Sequence, residues 1–333
     1  MKGFSTKAIH GGLSKSEAYG ALRMPVYDTV AFEHENARSI QLASEGKNPG
    51  HVYSRISNPT VQDFEQKIRL LSGGTAVLAV ASGMAAISNT FFALASAGSN
   101  IITTRHLFGN SLSLLEKTFA PWGLEIRFVS MSDLAEVENA IDGDTRAIYI
   151  ESITNPQLEV ADCSELGKIA KKHCVPLISD NTLMTPYLFN TKNAGVDIEL
   201  LSTTKYISGG ATSLGGIIID NGTFDWHQSP KLGDSAKKLG PMTFIATLRQ
   251  EVFRNIGACL SPHNAYLQNL GIETMSLRID KSCANTKIIA DYLEEHPKVQ
   301  TVHYPGLPRS TFHKISLTLF HDNSGGLFTF DLT

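Results

Sequence analysis

AVLAVASGMAAISNTFFALASAGSNIITT, residues 76–104, contains no charged side chain, and neither does the wider span Leu70–Thr104. Since about 20 apolar residues suffice to cross a bilayer, a transmembrane helix is the first reading to test. Ser82-Gly83 divides the stretch into a short run, AVLAVA (76–81), and an Ala-rich run in which Ser88, Asn89 and Thr90 are embedded. A buried strand, a turn, a helix over 83–96 and a second strand at 100–104 account for this pattern better than one membrane span. The stretch is read as a β-α-β unit, and no membrane association is expected.

The same alternation continues downstream. Short apolar runs recur at 124–129, 146–150, 175–179 and 196–202, with helical spacing at 110–120, 132–141 and 164–173 between them. Strands alternating with helices predict an α/β fold with a mainly parallel sheet and helices on both faces. GGIIID (215–220) adds a strand whose direction the sequence does not specify. Upstream, Val61, Phe64, Ile68 and Leu71 recur at helical spacing and stop at Gly73-Gly74. The first sixty residues are polar and broken by Gly11-Gly12, Met24-Pro25 and Asn58-Pro59, as in an arm lying on another surface. Beyond Pro241 longer helices are expected at about 243–270 and 281–295, with a short strand at 299–303 and another within GGLFTFDLT (325–333). The expected organisation is an arm over 1–60, an α/β domain over 61–245 and a partial α/β domain over 246–333.

Composition narrows the function. The 333 residues are enough for two domains. Lys plus Arg number 29 against 32 Asp plus Glu, which leaves no broad cationic face for nucleic acid. The four cysteines, Cys163, Cys174, Cys259 and Cys283, form no CxxC pair, so reduced thiols and a cytoplasmic location are expected. The N-terminus has no apolar segment of the signal-peptide kind.

Chemistry is sought where open α/β sheets place it, outside the carboxyl ends of the strands. Ser82, Gly83 and Met84 follow the first run and open a helix, which makes an anion cradle. Glu151, Ser152 and Asn155 follow the run at 146–150; Asp180, Asn181 and Thr182 follow that at 175–179; Ser202, Thr203, Thr204 and Lys205 follow that at 196–202. Alone, a strand-end Asp is commonly a cap, a lysine a solvated charge, and SGGATSLGG (208–216) a plain turn. Together they match the needs of pyridoxal 5'-phosphate (PLP). The phosphate wants helix-start amides and hydroxyls, the pyridine nitrogen wants a carboxylate, and the aldehyde wants a lysine amine.

Several ordered segments resemble the Cys/Met-metabolism PLP enzymes: YSRISNPT (53–60), SGMAAI (82–87), SDNTLMTPY (179–187), STTKYISGG (202–210) and LSPHNAYLQNLGIETMSLR (260–278). The resemblance implies an aspartate-aminotransferase-like fold (PLP fold type I) and a homotetramer built as a dimer of dimers. It implies that Lys205 carries PLP and later moves protons. Asp180 would pair with the ring nitrogen with Thr182 beside it, and Asn155 would adjoin the ring hydroxyl. Ser82, Gly83, Met84, Ser202 and Thr204 would surround the phosphate. Tyr53 and Arg55 would reach the phosphate of a neighbouring subunit.

Two departures from the family pattern bear on the reaction. HLFGNS (106–111) has Phe108 where many relatives stack a tyrosine on the cofactor, and Asn110 where some methionine γ-lyases have a cysteine. Both departures move the resemblance toward O-acetylhomoserine sulfhydrylases, which use O-acetyl-L-homoserine with sulfide or a thiol, and away from γ-elimination of methionine or cystathionine. Relatives also continue beyond a strand like GGLFTFDLT with a segment holding the arginine that clamps the substrate α-carboxylate. No residue here matches that arginine, Arg278 and Arg309 included, so a truncated, catalytically impaired PLP-binding protein is the other expectation.

Overall fold

The computed structural model describes residues 3–12, 20–48, 50–321 and 323–333. Nine strands form within them: β1 (Ala76–Val80), β2 (Asn100–Thr103), β3 (Glu125–Phe128), β4 (Thr145–Glu151), β5 (Leu177–Asp180), β6 (Ile198–Leu201), β7 (Gly216–Asp220), β8 (Val299–His303) and β9 (Thr329–Leu332). The first seven make one sheet in the order β1-β7-β6-β5-β4-β2-β3. β7 runs antiparallel to both β1 and β6, and the remaining pairs are parallel. This supplies the direction that the sequence left open.

Period-2 geometry sends neighbouring residues of these buried strands into different cores. Leu78 and Val80 pack with Phe91 and Leu94 of the helix Gly83–Leu94 on one face. Val77 and Ala79 pack with Phe64 and Ile68 of the helix Pro59–Ser72 on the other. In β4, Ala147 and Tyr149 face the first core, while Ile148 and Ile150 face a third, with Leu166 and Ala170 of the helix Cys163–Lys172. The uncharged stretch at 70–104 is therefore core material on both sides. No helix among the described residues is long and apolar enough to cross a membrane.

Three segments differ from the sequence reading. Near the N-terminus, Phe4–His10 is helical, with Ala8 buried beside Phe64 and the Phe4 ring 4.8 Å from that of Tyr187. The long helix expected at 243–270 is two. Helical structure from Thr243 ends at Ile256, where Gly257 turns left-handed at φ 76°, and a second helix starts at Pro262 after a Ser261 cap. The link between them lies along the outer edge of β1: the Ala81 N–H donates to Ala258 O at 2.9 Å and Cys259 bridges Val80. The following helix begins at Met275 rather than 281 and runs to Glu294. β9, read from GGLFTFDLT, pairs antiparallel with β8, while Phe330 and Leu332 stay exposed.

Candidate active site

The antiparallel insertion of β7 brings the ends of β1 and β6 to one edge with the start of β7 between them. Packing there is close enough to exclude side chains. A Cβ on Gly216 would lie 2.1 Å from Ser82 O, and one on Gly83 would lie 2.7 Å from Ser202 Cβ. Ser82 caps the helix, accepting from the Ala85 N–H at 3.1 Å. Amides in the first turn, Gly83 and Met84 among them, have no acceptor inside the helix. The Ser202 hydroxyl is thus held beside a helix N-terminus, which suits a phosphate.

A cavity of about 1120 Å³ opens at this edge and is lined by Ser82, Gly83, Met84, Phe108, Asn155, Asp180, Thr182, Ser202, Thr204 and Lys205. The structure brings together every residue that the sequence assigned to one chain's site. Thr204 is partly committed: its Oγ1 donates to Gly215 O at 3.2 Å and accepts from the Gly215 N–H at 3.1 Å. Lys205 is exposed in the turn after β6 and has no ion-pair partner among the described residues.

Asp180 lies deep in the fold with some surface toward the cavity. Depth in the fold raises its carboxyl pKa, and hydrogen bonds from Thr182, including its N–H at 2.9 Å, oppose the rise. Thr182 is itself fixed, its Oγ1 accepting from the Ser202 N–H at 2.8 Å. Among the described residues Asp180 has no ion-pair partner. A deep carboxylate without a cation is suited to a partner that brings a proton, as a pyridinium N–H does. Phe108, 43% exposed, places an aromatic ring on the cavity wall. Helix-start amides, hydroxyls, a ring, a carboxylate and a lysine in one cavity fit PLP.

Tyr53 and Arg55 do not join this cavity. Arg55 lies 5.3 Å from the Tyr53 ring centroid and donates to Arg254 O. Tyr53 lines a separate cleft of about 830 Å³.

Sequence reasoning missed two parts of the site. Glu151 was noted only as a strand-end residue; it lines the cavity, is 5% exposed, and is paired in register with Asp180. Burial, and then the charge of Asp180, push its carboxyl up to about 8. The second part is the wall given by Arg278, Lys281, Ser282 and Asn285 on the helix Met275–Glu294. Arg278 is largely committed to its own chain, with each of its three guanidinium nitrogens already donating. Its guanidinium donates to Tyr206 O and Gly271 O, both at 2.8 Å, and to Thr274 Oγ1 at 3.1 Å. Arg309 is 3.7 Å from Glu294 and lines no part of the cavity. Helical spacing alone does not signal which residues of a long helix meet a distant cavity.

The profile of the Cys/Met metabolism PLP-dependent enzymes matches residues 5–333. The chain belongs to this family. Its cofactor is PLP, and the residues above fit it. Among curated relatives, the L-methionine gamma-lyase of Pseudomonas putida is 35% identical, over 100% of this chain and 78% of that protein. Among solved structures, the O-acetylhomoserine sulfhydrylase of Wolinella succinogenes is 49% identical with a TM-score of 0.78, covering 83% of this chain and 78% of that one. A putative O-acetylhomoserine (thiol)-lyase from Campylobacter jejuni, solved with N'-pyridoxyl-lysine-5'-monophosphate, has a TM-score of 0.92 at 31% identity, covering 100% and 85%. Relatives of this PLP enzyme thus carry the names of both replacement and elimination catalysts.

Proposed function

We propose that this enzyme catalyses γ-replacement: O-acetyl-L-homoserine and hydrogen sulfide give homocysteine and acetic acid, and methanethiol in place of sulfide gives methionine. Phe108 is the observation that carries this reading. A phenyl ring keeps stacking contact with a planar cofactor but has no proton to give a leaving group. Acetate leaves as a stable anion and needs no such acid, whereas expulsion of a thiolate from methionine or cystathionine benefits from one.

Lys205, Asp180, Thr182, Asn155 and the residues at the Gly83 helix start hold the cofactor. Gly83 and Met84 amides, with Ser82, Ser202 and Thr204, would hold the phosphate; Asp180 would keep a proton on the ring nitrogen, and Asn155 would sit beside the ring hydroxyl. When bound, PLP supplies an electron sink for the charge left on the substrate Cα. With the amino acid in place, Lys205 Nζ would take away the Cα proton and then one Cβ proton, and would return protons to Cβ and Cα after sulfur has replaced acetate at Cγ. Acetate departs from Cγ, and the sulfur nucleophile bonds to that carbon. Tyr53 and Arg55 lie outside their own chain's cavity, which supports the reading that they serve a neighbouring subunit in a homo-oligomer.

Lys205→Ala tests the assignment. Sulfide-dependent homocysteine formation should fall by about 10²–10⁴-fold. An unchanged rate would remove Lys205 from the mechanism.

A further inference from the structure

Glu151 and Asp180 end adjacent parallel strands and stand opposite each other in register. Asp180 has a role in the reading above; Glu151 has none. Its two carboxylate oxygens are nevertheless committed to two separate chain segments. Oε1 accepts from the Phe108 N–H at 2.7 Å, and Oε2 from the Asn155 N–H at 3.3 Å. Phe108 precedes the short helix Gly109–Leu114, and Asn155 lies in the turn after β4. Both side chains line the cavity, and both segments lie outside the sheet.

We propose that Glu151 is a positioning residue for the cofactor: one buried carboxylate fixes Phe108 and Asn155 together, and so sets how the ring is held. The proposal rests on the reading that Phe108 and Asn155 flank PLP. A carboxyl group suits this place because each of its oxygens keeps a lone pair for an N–H, whether or not the group carries a proton. Gln has the same shape, but its amide nitrogen would face one of the two N–H groups, donor against donor. Asp is one methylene shorter and cannot span both segments. An unsatisfied buried N–H is costly, so the segment that loses its partner shifts.

The test uses full-length Glu151→Gln and Glu151→Asp proteins, prepared as apoenzyme and reloaded with PLP. Three quantities are read: the PLP dissociation constant from quenching of intrinsic fluorescence, the visible circular dichroism per bound cofactor, and the melting temperature of the apoenzyme. The proposal expects the dissociation constant of Glu151→Gln to rise about tenfold and the dichroism per bound cofactor to fall at least about twofold. The apoenzyme should stay folded and melt about 1–4 °C below wild type, the cost of the unpaired N–H. Unchanged dichroism per bound cofactor overturns the proposal, whether or not the apoenzyme is destabilised, since a merely structural carboxylate would lower melting alone. Should Glu151→Gln fail to fold, Glu151→Asp decides by the same dichroism criterion. None of these readouts depends on which reaction is catalysed, so failure here and failure of the γ-replacement reading remain distinguishable.

Discussion

Gly83→Ala probes the junction on which the phosphate end of the site depends. An added Cβ would lie 2.7 Å from Ser202 Cβ, against about 3.5–4.0 Å for an ordinary carbon–carbon contact. The shortfall is about 1 Å. It cannot be relieved by a side-chain rotation, because Ser202 Cα is also only 3.1 Å from the new atom. The start of the helix Gly83–Leu94 must move away from the end of β6. Overpacking of this kind costs about 1–3 kcal/mol, which for a chain of this size lowers melting by about 1–4 °C. The same movement separates the Ser202 hydroxyl from the amides of Gly83 and Met84, so PLP affinity should fall about tenfold beyond the loss of stability. Thermal melting of the apoenzyme and PLP titration measure the two effects. Gly143→Ala is the control: nothing lies within 4 Å of its added Cβ, and melting should stay within about 1 °C. Wild-type PLP affinity in Gly83→Ala would refute the placement of the phosphate at this junction.

Two further outcomes follow from partly or fully buried ionisable groups. Burial pushes Asp220 up to about 6, Glu199 to about 7 and Glu151 to about 8, whereas unfolded carboxyls titrate near 4. Between those values the folded chain holds protons that the unfolded chain has released, so apoenzyme stability should fall as pH rises from about 5 to about 8. His51, lowered by burial, opposes this below its ordinary value. Melting temperature against pH reads the net slope, and Glu199→Gln should flatten it; a slope that steepens or reverses would contradict the assignment. Arg278→Ala removes the three hydrogen bonds that tie the helix Met275–Glu294 to residues 206, 271 and 274. It should cost about 2–4 kcal/mol in a denaturant titration, and a loss below about 0.5 kcal/mol would show that the tie contributes little.

The strands were legible because each is a short apolar run closed by polar or glycine punctuation, and the core needs that pattern whatever the topology. The direction of β7 was not legible, because a connection from Ser202 to Gly215 is long enough to feed either orientation. The break after Ile256 carried local signals in Gly257 and Pro262, yet apolar periodicity continued across them. Only the open edge of β1 explains why the chain straightens there. At the site, Asp180, Lys205 and the Ser82-Gly83 junction could be found because strand order fixes where strand ends go. Glu151 occupied the same kind of position, but its work is done through backbone N–H groups of Phe108 and Asn155, which sequence does not bring together. Arg278 was visible as an arginine; that each of its three guanidinium nitrogens already donates to a carbonyl or a threonine depends on how the turn after Lys205 meets the helix Met275–Glu294.

Replacement at Cγ by an external sulfur nucleophile and elimination from the same substrate give different products. The most direct measurement is product partition: the purified, PLP-loaded protein is given O-acetyl-L-homoserine with and without sulfide, and homocysteine and 2-oxobutanoate are quantified. Homocysteine is expected as the main product, dependent on sulfide and lost in Lys205→Ala. Accumulation of 2-oxobutanoate as the main product in the presence of sulfide would contradict it and establish elimination as the reaction of this site.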